Sequence, residues 1–411
     1  LTEQTSQTSG ATPHPKVGLL AIFWAYFVVG LTAFGMAILQ KLKHTILKNR
    51  WLTEQEMNDG LAMVQLYPGP IIVNFTTYAG YRLRGALGAL MATLGFITPS
   101  IVLIIVLAVA YFEGSSLPWV KPLFIGLEAL VVGVVFNVTL EFGQRALKSG
   151  IHALVGLLAF IALIYKVNAL VIVLATLALG ALFLRPKPKA TTQKKQKPEG
   201  NAPPAPKQSS RSAWVNIGIA TALVLAAAAA AWAYGGEDGR MTLAFLKVGT
   251  VAFGGGLTIL PLVQDIAVTA GHWITMRQFA DGIALSQITP GSFLNIAAFI
   301  GYKVDGIWGA LLASFGIYAP SFLWTLLFSE IYGHVRNNPA VRGALAGVLA
   351  GFVGMLAVVV LQLGRVSITG PAALTMAAAA FVAVRFFKID LLWVMVGGLG
   401  IWWVAMLAGV V

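Results

Sequence analysis

Apolar runs separated by short polar breaks fill most of this chain, and many are long enough for helices that cross a bilayer. The first spans residues 17–40, interrupted by Gly30 and Gly35, and leads into a cationic stretch (Lys41, Lys43, Lys48 and Arg50) that reads as a loop. Residues 59–81 form the next run, followed by 85–111, 120–142, 151–165 and 169–184, with a tight turn around Lys166 and Asn168 joining the last two. At 185–212 the pattern breaks into Pro, Lys, Gln and Ser, which predicts a flexible basic linker. An Ala-rich run at 213–234 follows, then 241–263, 281–302, 306–331, 339–363, 370–386 and 391–410.

The two series of runs are versions of one unit. Aligning Trp51 with Trp273 also aligns Thr53/Thr275, Asp59/Asp281, Gly60/Gly282, Gln65/Gln287, Pro68/Pro290 and Gly69/Gly291. After a one-residue gap near Thr77 the match resumes with Gly80/Gly301, Tyr81/Tyr302, Gly85/Gly306, Gly88/Gly309, Gly95/Gly316, Pro99/Pro320 and Ser100/Ser321. The predicted fold is an all-α polytopic membrane protein with two homologous six-segment halves, at 17–184 and 241–411, and one extra linking helix at 213–234. The polar tail at 1–16 does not read as a cleavable signal, so the first apolar run is expected to remain as an anchor.

Composition narrows the reading further. With 58% apolar and 10% charged residues a soluble globular fold is excluded. Cysteine is absent and the five His lack ligand spacing, so no metal, cofactor or thiol chemistry is expected. The net charge of +13 sits largely in the linker and loops, which suits membrane topology rather than nucleic acid and places the linker in the cytoplasm. Topology stays divided. Crossing by all six segments makes the halves inverted but sets Lys41, Lys43, Lys48 and Arg50 opposite the linker. Re-entry of the Pro-broken segments alone returns those charges to the linker side but makes the halves parallel. Inverted repeats are the expectation adopted here.

Pro68-Gly69-Pro70 and Pro290-Gly291 fall in the middle of their apolar runs, where Pro removes a donor and breaks the helix. One such break is usually a plain kink. Two at equivalent positions point to a substrate site, because a half-helix beginning there aims free N–H groups and a positive dipole end at an anion. Gln65, Gln287, Asn74, Asn295 and Ser292 flank the breaks, either as donors to the anion or as bridges between helices. Arg82 and Lys303, each after a Gly-Tyr pair, either hold a dianion or mark helix ends. Phe34-Gly35 aligns with Phe253-Gly254-Gly255-Gly256, and Gly30 with Gly249. Such glycines either pack helices closely or unwind to line a cavity, and Gly254 and Gly255 are the candidates for unwinding. Glu128, inside an apolar run, is the candidate for proton coupling.

These residues resemble the chromate ion transporter family. The likeness rests on W-L-T-E-Q-E-M-N-D-G-L-A-M-V-Q-L-Y-P-G-P from Trp51, G-Y-R-L-R-G from Gly80, F-L-K-V-G-T-V-A-F-G-G-G from Phe245, W-I-T-M-R-Q-F-A-D-G-I-A-L-S-Q-I-T-P-G-S-F from Trp273 and I-G-Y-K from Ile300. The resemblance implies a multi-pass prokaryotic inner-membrane protein that exports chromate and confers resistance to it, with sulfate as the close analogue. The chain departs from the expected pattern at Phe34-Gly35-Met36, where a second Gly and a Pro are expected, and at Ser292, where a Pro often stands.

The expected function is secondary active export of a tetrahedral dianion. An inside-negative potential favours expulsion by about 2.3 kcal/mol per charge per 100 mV. Rivals are a sulfate or other oxyanion permease working inward and a non-transporting assembly subunit. The lipid bilayer is an expected partner, a second copy in a homodimer is plausible, and nucleic acid is excluded.

Overall fold

The computed structural model describes residues 17–35, 37–114, 120–185 and 210–409. The polar tail and most of the predicted linker lie outside the described residues, which hold helices and turns and no strand. The first half comprises α1 (Leu19–Thr32), α2 (Ala37–Lys48), α3 (Glu54–Met63), α4 (Ile71–Gly114), α5 (Val120–Ala146), α6 (Gly150–Ile164) and α7 (Ala169–Phe183). The linking helix is α8 (Ser210–Tyr234). The second half has α9 (Gly236–Val251), the short α10 (Leu260–Gln264) between a 3-10 turn and a π-helical turn, α11 (Met276–Ile288), α12 (Ile296–Val335), α13 (Pro339–Ser367), α14 (Pro371–Arg385) and α15 (Leu391–Leu407). Among the described residues, five helical stretches are long and apolar enough to cross a membrane: Ile71–Gly114, Pro122–Ala146, Ala213–Ala233, Phe293–Val335 and Pro339–Ser367.

Two segment readings change. The cationic stretch expected as a loop is helical through Lys48, because Ile38, Leu42 and Ile46 recur at helical spacing and are buried, leaving the lysines on the outer face. The run 17–40 is also not one segment, and neither is 241–263. Each is interrupted, α1 ending at Ala33 and α9 at Ala252, both of them non-helical cap residues.

What the pairs of short helices do follows from which residues meet. Glu56 near the start of α3 receives Arg82 Nη2 at 2.6 Å, although the two are 26 residues apart. A Cβ on Gly60 would strike the Tyr78 ring. The segment broken at Pro68 therefore turns back on itself, and α3 lies antiparallel to the first leg of α4. A sharp turn at Arg84 and Gly85 (φ 62°, ψ −149°) then reverses the chain again, using a conformation open only to glycine. Thr77 and Thr93 hydroxyls meet at 2.6 Å across the two legs, where a straight helix would hold them about 24 Å apart. The second half repeats the geometry without the ion pair: Gly282 faces Phe299, Gly306 (φ 52°) makes the turn, and Gly301 packs on Gly309. Matching N-caps start both hairpins, with Thr53 and Glu56 in one capping box and Thr275 and Gln278 in the other.

The first pair of each half doubles back as well. Trp51 beyond α2 lies 6.0 Å from Tyr26 in α1, and its equivalent Trp273 lies 6.4 Å from Phe245 in α9. Glycines then fix how these hairpins sit on the long legs. Gly30 packs on the Phe96 carbonyl and Gly249 on the Ile317 carbonyl. α3 begins beside the Arg84 end of the long leg of α4, whereas Asp281 in α11 meets Tyr111 near its other end at 2.6 Å. Those ends are about 40 Å apart along the helix. Each half also grips the other. Gly133 of α5 packs on the Ala377 carbonyl of α14 and Gly126 lies under Trp402 of α15, while Gly347 of α13 packs on Thr176 and Gly180 of α7. Close approach through small residues is what holds helices together where burial from water gives no drive.

Candidate functional site

Four interruptions converge at the centre: those after α1, after α3, after α9 and after α11. Two hydrogen bonds tie them across the halves. Gly69 N donates to Ala252 O at 2.7 Å, and its repeat equivalent Gly291 N donates to Ala33 O at 3.3 Å. Both glycines have positive φ, 124° and 93°, so only glycine turns its N–H this way without strain. The same exchange involves side chains. A Cβ on Gly69 would fall on the Ser321 hydroxyl of the second half, and one on Gly291 would press on Ser100 of the first. Tyr67 adds a further cross-half bond, its hydroxyl donating to Thr325 Oγ1 at 3.0 Å.

Asn74 and Asn295 complete the symmetry. Each is fully buried and reaches six residues back over its break, Asn74 Nδ2 to Pro68 O at 3.3 Å and Asn295 Nδ2 to Thr289 Oγ1 at 2.6 Å. The repeat gap thus falls between Pro70 and Asn74, slightly before the position expected. Asn74 Oδ1, Asn295 Oδ1, Ser321 Oγ and Gln287 Nε2 are buried with no hydrogen-bond partner among the described residues. Buried polar atoms are ordinarily satisfied. Four of them around paired helix breaks leave hydrogen-bonding capacity for a guest. The helices that start here, α4 at Ile71 and α12 at Ile296, bring their positive ends to the same place. Ser292 caps the turn before α12 by accepting from Leu294 N.

The remaining sequence candidates are spread out. Pro68 and Pro290 are buried at the breaks; Gln65 is exposed and Gln287 partly buried. Gly254 and Gly255 have φ of 93° and 115°, and a Cβ on Gly255 would meet open space, so this stretch is unwound as expected. Arg82 lies eight residues beyond Asn74, about 12 Å along the helix, in a buried pair with Glu56. Lys303 is exposed with its ammonium 5.2 Å from the Phe112 ring centre. Neither is brought to the breaks. Glu128 is 1% exposed and lies 3.6 Å from Arg277, in the neighbourhood of the Tyr111 and Asp281 pair. The reading of residue types missed Ser321, Ser100, Thr325 and the Ala33 and Ala252 carbonyls. Ser100/Ser321 and Ala33/Ala252 recur in the repeat, although nothing marked them as neighbours of the other half's break, whereas Thr325 stands opposite Ile104 and left no signal.

Duplicated halves, doubled-back helix pairs and helix breaks that meet across the halves are the architecture of a multi-pass membrane protein. The chain belongs to the chromate transporter family: the family model described as "Chromate transporter" matches residues 20–181 and 239–403. The chain is 28% identical to a chromate transport protein of Cupriavidus metallidurans over 93% of this chain and 92% of that one. It is 26% identical to an uncharacterized transporter of Methanocaldococcus jannaschii over 84% of each. YwrB, an uncharacterized transporter of Bacillus subtilis, is 31% identical over 44% of this chain and 93% of its own length, so one half exists as a separate chain. No solved structure matches the chain. Proteins of this family are transporters rather than enzymes and reside in the prokaryotic plasma membrane.

Proposed function

We propose that this protein exports chromate by secondary active transport, holding the anion between the Pro68-Gly69 and Pro290-Gly291 breaks. The observation that carries the reading is the reciprocal pair of bonds from Gly69 to Ala252 and from Gly291 to Ala33 beside the unpartnered Asn74, Asn295 and Ser321 groups. A tetrahedral oxyanion uses several convergent donors at once, and amide and hydroxyl groups beside two helix N-termini supply them. The free donors among these are Gln287 Nε2 and the Ser321 hydroxyl, while each asparagine presents its NH2 to the guest only by giving up its bond to Pro68 O or Thr289 Oγ1. The halves are inverted repeats in this reading, supported by α3 and α11 beginning at opposite ends of the long leg of α4. Rocking of one set of hairpins against the other then opens the shared site to alternate sides. Membrane potential drives the dianion outward, and the Glu128, Arg277 and Asp281 cluster is the place for any coupled proton.

The test is chromate uptake by respiring inside-out vesicles, with sulfate as competitor. Wild-type vesicles should accumulate chromate above controls lacking the protein, sulfate should compete, and collapse of the potential should abolish accumulation. Chromate entry only into right-side-out vesicles, or none in either, would overturn export.

A further inference from the structure

The unpartnered hydroxyls at the breaks are not shared equally between the halves. Ser321 and its repeat equivalent Ser100 each stand beside the other half's glycine, but Ser100 donates to Ile97 O at 3.1 Å, whereas Ser321 Oγ meets no partner among the described residues. One turn earlier on the same helix, α12 carries Tyr318, which is 4% exposed. Its hydroxyl is buried, faces the Ser292 side chain next to Gly291, and makes no hydrogen bond among the described residues. The equivalent residue of the first half is Ile97, so the phenol is not duplicated.

Residues 318 and 321 share one face of α12, three positions apart. That face reaches both breaks, Ser321 at Gly69 and Tyr318 at Ser292. The Tyr318 ring also lines an apolar groove of about 670 Å³ among α4, α8 and α12, so the ring forms part of the wall between that groove and the breaks, with its oxygen closed off from the groove. A phenylalanine would fill the same space without stranding a buried donor, and a buried donor left without an acceptor is destabilising. An oxyanion lodged beside Ser292 removes that penalty by accepting the hydrogen bond.

We infer that Tyr318 is a further anion-binding residue, its phenol donating together with the Ser321 hydroxyl from one wall, so that α12 supplies more of the guest's hydrogen bonds than the matching leg of α4. The inference rests on the proposed function and deepens it. The site is symmetric in the backbone bonds of Gly69 and Gly291 but asymmetric in its free hydroxyls.

The experiment is equilibrium binding of radiolabelled chromate to the full-length protein in lipid nanodiscs, read beside the thermal unfolding midpoint of the same samples without chromate. Tyr318→Phe removes one oxygen and should weaken binding about tenfold or more, the size of one lost hydrogen bond to a charged group. Its midpoint without chromate should stay level or rise, because an unpartnered buried hydroxyl is lost; a merely structural role would lower it. Tyr26→Phe is the comparison and should bind chromate as wild type does. Tyr26 is also buried with an unpartnered hydroxyl, but it lies seven residues before Ala33, about 10 Å along α1. Ser321→Ala should weaken binding more than Ser100→Ala, and equal losses would contradict the asymmetry. If wild type binds no chromate at all, the proposed function fails and this inference with it. If wild type binds chromate and Tyr318→Phe binds it identically, the central reading stands and the inference is overturned. Weakening that comes with a lowered midpoint, or that Tyr26→Phe matches, overturns it as well.

Discussion

Gly69 shows how much of the site depends on single backbone positions. Its φ of 124° and the Ser321 hydroxyl in the place of a Cβ mean that Gly69→Ala meets both conformational strain and a clash. A loss of about 1–3 kcal/mol is expected from strain of this kind, seen as a lower midpoint of thermal unfolding in detergent. Gly291→Ala should be milder, since Ser100 lies 3.0 Å from the added methyl. Arg82 tells the opposite story. As a residue type it reads as an anion ligand, but in the fold it is committed to Glu56, 26 residues earlier. Nothing in the sequence pairs them, because a broken run crosses the membrane or turns back with the same residue pattern. Arg82→Met strands a buried carboxylate and should destabilise by about 3–5 kcal/mol. Adding Glu56→Gln, which keeps the capping box but removes the charge, should recover much of that loss. A double-mutant cycle on unfolding midpoints checks this, and additivity of the two changes would contradict the pairing.

At the scale of elements, the Pro-Gly breaks, the boundary before Gly85 and the duplication were legible because glycine and proline leave marks in any sequence, whereas the hairpin that Gly85 makes was not read. The doubling back of α1 on α2 was not. Lysines at 41, 43 and 48 read as a loop although Ile38, Leu42 and Ile46 already carried the helical period. That omission explains the divided topology. If, as proposed, both pairs of each half are re-entrant and the remaining four helices of each half cross, α8 adds one crossing and the halves invert. Lys41, Lys43, Lys48 and Arg50 then share the linker's side, so inverted repeats and a positive inner face agree. A chain without cysteine allows a direct check. In intact cells and in inside-out vesicles, Lys43→Cys should label from the same side as Lys195→Cys, and Lys303→Cys from the opposite side. Equal sidedness for Lys43→Cys and Lys303→Cys would contradict the inverted arrangement.

Over the whole molecule, the two halves are interlocked rather than adjacent. α5 packs in the α14 and α15 hairpin, α13 in the α6 and α7 hairpin, and each half's break accepts or donates a bond to the other's. The sequence declared the duplication but was silent on this exchange, since a repeat says which residues are equivalent and not which are in contact. One consequence is that residues 17–185 and 210–409, made as separate chains, should assemble and restore vesicle uptake of chromate, whereas either alone should not. The central claim is that both breaks build one anion site, and binding of radiolabelled chromate to Asn74→Leu and Asn295→Leu protein in nanodiscs tests it most directly. Tight binding should disappear in each single variant, because each asparagine serves the same guest; retention of tight binding by either variant alone would contradict a shared site.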